Sequence, residues 1–485
     1  MVFATRYCRV TSPRPKGRTR ITKAAAMQQI NPAKIIASLI AREREDEALQ
    51  MFDALGIDTP EGYMSVLNLL SERGDDFRLH KLASRGASQF PAHAEIHAHY
   101  VNALLREGDP ASAAKTAEAF MHSSGNQGLW ALWAESLLRA YEFERAGTVL
   151  NQYMPQNPFN AGAWIVTARL LWLHPIPETR NVLSGLIQEI KESPIEYGID
   201  QGHMCFAAGL IHEALGDLDA AWDAFNKGNE IHHAVEMAEK DEEGRLAQSI
   251  QHHISAEWIK DNSLEIGRSP RPIFALGSPV SGIAELYTAA TADQSMGRVG
   301  EPRMFERDLH RLCGPSHEEG YGEALSRLTK DDLSSLRQRY LEVNRERIAG
   351  ASSFVDGLGA NIRHAGVLKA MFPDAIFLRA TTERHQEAVD LFRLPLDPRA
   401  HRSASDMEAI QGYLAAHDQL SAHWSNIMGY DFAPVEGPKR KAVEAHVPGW
   451  RATGQGGSLS SAAFDWPAPR GSVRKRYMEL AGLSA

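Results

Sequence analysis

A recurrence of about 34 residues restricts what the first half of this chain can fold into. Thirty-four residues separate Leu79 from Ala113, and 33 separate Ala113 from Ala146, each within an amphipathic helical pattern. Similar patterns follow one another from Met27 to Ile254, with few β-branched clusters. A period in this range indicates helical units that bury their apolar faces by stacking on each other. The sequence therefore predicts an α-solenoid.

The clearest unit runs from Gly209 to Ile231. Its Gly209 is expected to let two helices approach closely, Ala221 is expected at the helix crossing, and Phe225 is expected to fill the space beyond it. The unit and its neighbours resemble tetratricopeptide repeats, five or six in number, of which the fifth (residues 164–190) is degenerate. That resemblance implies a groove that holds a protein or a peptide.

Aromatic and histidine side chains in this half each allow two interpretations. Four tryptophans either line the groove or belong to the core, and large aromatics more often do the latter: Trp130, Trp133, Trp164 and Trp172. Six histidines lack metal-ligand spacing, because adjacent pairs point to different faces of a helix. We expect surface or capping positions for His203, His212, His232, His233, His252 and His253.

The second half has a different pattern. Helical periodicity stops in "KDNSLEIGRSPRP", and three short apolar runs, "PIFALG", "SFVDG" and "AIFLRA", then alternate with helical segments. Strands that alternate with helices predict a parallel sheet in an α/β domain. We therefore predict a basic tail (1–26), a repeat array (27–255), a linker (256–271) and an α/β domain (272–485).

The first predicted strand leads into "GSPVSG", residues 277–282, and then into a helix. Strand, glycine-bearing loop and helix in this order form a cradle for phosphate-like anions. Such a cradle normally carries a cation and hydroxyls as well. Here Val280, Ile283 and Ala284 stand where those side chains would be expected.

Five motifs in order make this half resemble the sulfotransferase superfamily, in the bacterial branch that follows a tetratricopeptide array. The loop matches the family's Gly-x-Pro-Arg-Ser-Gly-Thr-Thr, and a Gly-Glu pair follows about twenty residues later. The further matches are a strand end, a strand entry and a His-Trp pair. The matching segments are Gly277–Ala284, Gly300-Glu301, Asp356–Asn361, "MFPDAIFLRA" and His423-Trp424.

The resemblance implies a P-loop-like sheet that binds 3′-phosphoadenosine 5′-phosphosulfate and transfers its sulfuryl group to a hydroxyl or amine presented by the repeats. Glu301 would be the catalytic base. The loop would stabilise the sulfonate oxygens, and basic residues would hold the 3′-phosphate. The implied donor-binding residues are Gly277, Ser278, Pro279, Ser281, Gly282, Arg379, Arg384, Arg474 and Lys475.

Several positions depart from the family's pattern. Val280 stands where the family's loop carries a cation, and Gly357 stands where the family's strand end carries a lysine. The family's second signature contains two arginines that bind the 3′-phosphate, and here Thr381 and Thr382 occupy their positions. Asp390 stands near a serine position that should face phosphate. These departures favour an alternative, a catalytically inactive pseudoenzyme that acts as a scaffold for protein interaction. No fingerprint of another nucleotide-binding class is present.

Composition narrows the remaining classes. The 485 residues are 43% hydrophobic, and the net charge of −9 argues against nucleic-acid binding. Three cysteines without pairing pattern fit a reducing, cytoplasmic compartment and give no metal site. No apolar run is long enough for a membrane span. Residues 1–26 carry seven basic residues and no acid, which fits a disordered tail, a transit-like peptide, or an extension upstream of a start at Met27.

Overall fold

The computed structural model describes residues 35–36, 38–39, 45–73, 76–192, 198–235, 241–267, 269–315, 320–396, 406–457, 459 and 466–483. The predicted basic tail, residues 1–26, lies outside this part. The chain forms two compact units, Met1–Val66 and Leu67–Ala485. In the first unit, α1 (Glu45–Ala54) buries Ala48, and the ring of Phe52 meets that of Tyr63 edge-on at 5.0 Å.

Among the described residues up to residue 262, all regular secondary structure is helical. The further helices are α2 (Pro60–Arg73), α3 (Asp76–Gln89), α4 (Ala94–Arg106), α5 (Pro110–Ser124), α6 (Trp130–Arg139), α7 (Phe143–Tyr153), α8 (Ala161–Leu173), α9 (Thr179–Glu192), α10 (Ile199–Ala214), α11 (Leu218–Val235), α12 (Glu242–His253) and α13 (Ala256–Asn262), with a 3-10 turn at Met154–Gln156. In the second unit, consecutive helices from α3 to α7, and α10 with α11, pack on each other.

The recurring positions are packing positions. Leu79, Ala113, Ala146 and Ala221, in α3, α5, α7 and α11, are all fully buried. A Cβ atom on Gly209 would lie 2.5 Å from the ring of Phe225, so only glycine permits the approach of α10 and α11. The expected role of Gly209 is therefore confirmed.

The aromatic residues are mainly core, and one histidine prediction is wrong. Trp130, Trp133 and Trp164 are buried, in agreement with the core interpretation. His232, expected at the surface or at a cap, is buried as well. A Cβ atom on Gly202 would lie only 2.4 Å from the His232 ring, so the absence of a side chain at Gly202 makes room for the ring.

The predicted parallel sheet is confirmed, with two strands that the sequence did not indicate. The expected strands are β1 (Arg271–Leu276), β3 (Ser353–Asp356) and β4 (Ile376–Ala380); β2 (Gly297–Gly300) and β5 (Phe432–Val435) were missed. The order is β2-β3-β1-β4-β5, and every pairing is parallel. Both missed strands are short edge strands that contain glycine or proline, which weakens the strand signal.

Helices surround the sheet: α14 (Ile283–Ala290), α15 (Met304–Cys313), α16 (Tyr321–Ser326), α17 (Lys330–Val343), α18 (Arg345–Ile348), α19 (Ala365–Met371), α20 (Arg384–Phe392), α21 (Met407–Met428), α22 (Lys439–His446) and α23 (Gly471–Leu480), with 3-10 turns at Gly359–His364 and Gly429–Asp431. We expected a linker at 256–271, but α13 begins there. Trp258 of α13 packs against the sheet's core and donates its indole N–H to the Ser326 carbonyl at 2.8 Å.

A buried ion pair joins the helical half to the α/β half. The Glu213 carboxylate at the end of α10 accepts hydrogen bonds from the Arg393 guanidinium, which follows α20, at 2.7–3.0 Å. The Trp172 indole and the Tyr477 hydroxyl donate to the same carboxylate at 2.8 and 2.9 Å. The side chains of Arg393 and Glu213 are 1% and 2% exposed. Apolar residues of α10, α11, α20 and α23 pack around this network.

Removing one partner of this pair should destabilise the fold strongly. Glu213→Ala leaves the Arg393 guanidinium buried without its carboxylate, so we expect the free energy of unfolding to fall by about 3–5 kcal/mol. Denaturant unfolding monitored by circular dichroism measures it. The exposed pair Lys227–Glu230 supplies the control, Lys227→Gln, which should cost less than about 1 kcal/mol. Equal effects of the two substitutions would contradict a structural role for the network.

Candidate functional site

The loop after β1 is a closed turn that leads into α14. Gly277 and Gly282 have φ angles of +143° and +86°, which residues with a side chain rarely adopt. The backbone N–H and the hydroxyl of Ser281 both donate to the Ser278 carbonyl, at 3.1 and 2.8 Å. Ser278 and Ser281 are buried, and Pro279 is half-buried. The predicted order of strand, glycine-bearing loop and helix is therefore confirmed.

A carboxyl group that the sequence did not indicate lies on this loop. The Ser278 hydroxyl donates a hydrogen bond to the Glu387 carboxylate of α20. Burial raises the pKa of Glu387 to about 7, and the bond from Ser278 opposes that rise. The charges of Arg379, Asp418 and Asp390 act on the same carboxyl. Acidic groups thus approach the loop at the place where an anion was expected.

The segment after β3 packs directly on the loop. A Cβ atom on Gly359 would lie 2.0 Å from the Gly277 carbonyl oxygen. At Gly357, where the family has its lysine, a Cβ atom would lie 2.5 Å from the Leu459 side chain. Leu459 therefore fills the space that a lysine stem would need.

One cation does reach the loop, from a part of the chain that sequence reasoning overlooked. The Lys439 side chain, at the start of α22, passes within 3.0 Å (Cε) and 3.5 Å (Nζ) of the Cβ position that Gly282 leaves empty. Its ammonium donates to the Val435 carbonyl at 2.9 Å. Burial lowers the pKa of Lys439, while Glu285 and Glu436 act against that shift. The signal was "GPKRK", which follows the missed strand β5.

The predicted base, Glu301, directly follows β2 and is half-buried. Its charge acts on Asp356 at the end of β3, whose pKa burial raises to about 7. Asp356 accepts hydrogen bonds from the Tyr340 hydroxyl at 2.6 Å and from the Leu358 N–H at 2.8 Å. The structure thus places Glu301 at the carboxyl end of the sheet beside a second acid, which we had not assigned to the site.

The basic residues expected to bind the 3′-phosphate are mostly engaged with carboxylates. Arg379 and Arg384 both contact Asp418 of α21, Arg379 at 2.7 Å. Arg474 of α23 donates two hydrogen bonds to Asp390, at 2.7 and 3.1 Å. Lys475 is exposed on the same helix.

These pairs belong to one charged region around α20, since Glu387 and Asp390 lie one turn apart on that helix. We call Glu387, Asp390 and Asp418 the acidic trio. Each of the three arginines contacts a member of the trio. Asp418 receives two of the guanidinium groups and Asp390 the third, while Glu387 is hydrogen-bonded to Ser278. Each of the three guanidinium groups is therefore already engaged with a carboxylate of the protein itself.

No protein-family model matches the chain, and no curated protein matches it. The resemblance to sulfotransferases therefore depends on the sequence motifs and stays a prediction. Among the described residues, no helix combines the length and apolarity that crossing a membrane requires. Within the same residues, no group of three or more His, Cys, Asp or Glu side chains is placed to bind a metal ion.

The raised pKa of Glu387 predicts a pH-dependent stability. Between its ordinary pKa of 4.5 and about 7, the folded state holds a proton that the unfolded chain has lost, so the free energy of unfolding falls as pH rises through that range. Glu387→Gln keeps an acceptor for Ser278 and removes the charge. We expect the free energy of unfolding of the variant to rise relative to that of the wild type as pH increases, by at most about 3 kcal/mol at pH 8.

Urea unfolding at several pH values measures this difference. Glu323→Gln, at an exposed carboxylate, is the matched control and should give a curve parallel to the wild type. A parallel curve for Glu387→Gln would show that its carboxyl is not held in a buried environment.

Proposed function

We propose that this chain is a repeat scaffold that binds another polypeptide, and that its sulfotransferase-like α/β domain does not transfer sulfuryl groups. The observation that carries the proposal is the pairing of Arg379 and Arg384 with Asp418, and of Arg474 with Asp390. These arginines are the ones that the family resemblance would assign to the 3′-phosphate.

Electrostatics make a phosphorylated nucleotide a poor ligand for this arrangement. A phosphate would have to displace Asp418 or Asp390 from its arginines while both carboxylates stay nearby. Asp390 is buried, and bringing like charges together at such a place costs several kcal/mol. Asp418 is 41% exposed, so water screens its repulsion. The carboxylates also take up several of the guanidinium donors that a phosphate needs.

The loop itself is poorly equipped for transfer. Val280, at the position of the family's cation, packs against the apolar cluster that includes Leu391 and Tyr477. Ile283, at a hydroxyl position, is buried beneath the loop. Neither side chain can stabilise developing charge on a sulfonate oxygen, a contribution typically worth about 3 kcal/mol per donor.

The helical half supports the scaffold part of the proposal. Its packed helices, α3 to α7 in succession and α10 with α11, have a buried small or aliphatic residue at each recurring position and form the kind of extended surface that repeat proteins use to bind partners. We infer that these helices are tetratricopeptide repeats.

Sulfuryl transfer from 3′-phosphoadenosine 5′-phosphosulfate is the second candidate function, and Lys439 favours it. Its ammonium lies beside Gly282 and could replace the cation lost at Val280. Glu301 would then accept the proton of the acceptor hydroxyl or amine. Glu387 argues against this candidate, because this acidic side chain accepts a hydrogen bond from the loop's own Ser278 hydroxyl.

Calorimetry with 3′,5′-adenosine bisphosphate and transfer from labelled 3′-phosphoadenosine 5′-phosphosulfate test the proposal. We expect no saturable binding of the nucleotide up to about 1 mM, which means a binding free energy weaker than about 4 kcal/mol. We also expect no transfer of the labelled sulfuryl group. Micromolar binding would contradict it. Transfer that is lost in Lys439→Ala and kept in Lys441→Ala, an exposed lysine of the same helix, would establish the second candidate instead.

A further inference from the structure

A tyrosine occupies a backbone position that the neighbouring repeats give to glycine. Before α5 and α11, Gly108 and Gly216 have φ angles of +77° and +79°. Before α7 the corresponding residue is Tyr141, with φ +60°, and its side chain is 79% exposed. The left-handed region is disfavoured for a bulky residue, and such outliers concentrate at functional sites. The exposed ring is therefore a reason to examine what it adjoins.

Tyr141 stands at the mouth of a cavity of about 1020 Å³. The cavity opens between α7 and α9 and has α8 as its floor. Its walls are mostly apolar and aromatic: Tyr141, Phe143, Trp164, Leu170, Ile176 and Val182. The ring centroid of Phe143 lies 5.9 Å from that of Tyr141 and 4.3 Å from that of His174, so the aromatic surface is continuous. Its volume is at the upper end of ligand pockets, which are roughly 300–1,000 Å³.

The degenerate fifth repeat explains why this space is open. Gly147 of α7 and Gly185 of α9 both line the cavity. A Cβ atom on Gly185 would meet no atom within 4 Å. Ile176, in the connection between α8 and α9, stays 46% exposed at the edge. Apolar surface that stays open beside an exposed aromatic ring is a feature of interaction sites.

The charges around the cavity determine which occupant fits. Three acids line it, Glu142, Glu144 and Glu189, against one arginine, Arg145, and one histidine, His174. Arg145 is already paired with Glu142 and Glu118. Glu189 is half-buried in the cavity wall. An occupant with positive charge would complement these acids.

We propose that this cavity binds a segment of another polypeptide that carries aromatic or aliphatic side chains flanked by Lys or Arg. This rests on the proposed scaffold function and names its binding site and partner class. The part of a second copy that follows the basic residues 1–26 fits poorly, since its net charge is −16 and the cavity is acidic. A lipid with an anionic headgroup is disfavoured for the same reason.

Random linear peptides displayed on phage and selected on the full wild-type chain alone, followed by binding measurements on Gly185→Trp, test the site. Gly185 lines the cavity, and a Cβ atom there would meet no atom within 4 Å, so this position can accept a side chain. We expect enriched peptides with aromatic or aliphatic residues beside Lys or Arg. As synthetic peptides in fluorescence anisotropy, they should lose roughly tenfold or more in affinity for Gly185→Trp and weaken with added salt. Gly412→Trp, at an equally open and exposed helical glycine elsewhere, should bind like the wild type.

Tyr141→Gly separates binding from folding. Glycine suits the left-handed backbone, so the melting temperature should equal or exceed that of the wild type, while peptide affinity falls. Tyr141→Phe should keep most of the affinity. No enrichment, peptides without basic residues, or equal binding to Gly185→Trp would each overturn the proposal. Nucleotide calorimetry on the same Gly185→Trp protein keeps the two proposals apart, because the cavity shares no residue with the loop.

Discussion

The buried pair of Glu213 and Arg393 fixes the helix on which the candidate site depends. Arg393 directly follows α20, the helix that carries Glu387 and Asp390. Because the Glu213 carboxylate also accepts hydrogen bonds from Tyr477 of α23 and Trp172 of α8, it holds these helices in one arrangement. A buried charge is tolerated only when its partners satisfy it, so α20 cannot shift without exposing an unpaired ion. The helical half thereby sets the position of the acidic groups at the loop.

That position gives the loop its chemical character. The backbone forms a glycine-bearing turn between strand and helix, yet Ser278 donates its hydroxyl to Glu387, and three arginines are engaged with Asp418 and Asp390. Lys439 is the exception, because it approaches Gly282 with its ammonium on a backbone carbonyl. Because these carboxylates compete with an anion for the same guanidinium groups, we propose that the protein's activity lies in its helical half.

Local patterns predicted much of the fold. The apolar runs of β1, β3 and β4, the loop between β1 and α14, and the buried positions at a spacing of 33 or 34 residues could be read from the sequence. The weakly patterned edge strands β2 and β5 could not. The sequence showed that Gly357 stands where the resemblance to sulfotransferases calls for a lysine, but it did not show that Leu459 fills the space.

The contacts that decide the character of the site were out of reach for sequence reasoning. The Ser278–Glu387 contact spans 109 residues and the Glu213–Arg393 contact spans 180. Nothing in a local pattern says which carboxylate meets which arginine. The prediction for His232 was wrong for the same reason, because the space that its buried ring occupies is left by Gly202 on another helix.

A crystal structure grown with millimolar 3′,5′-adenosine bisphosphate tests the central claim most directly. The account predicts that Arg474 stays on Asp390, that Arg379 and Arg384 stay on Asp418, and that no nucleotide lies on the loop from Gly277 to Gly282. A nucleotide on that loop, with these arginines turned from their carboxylates to its phosphates, would contradict it.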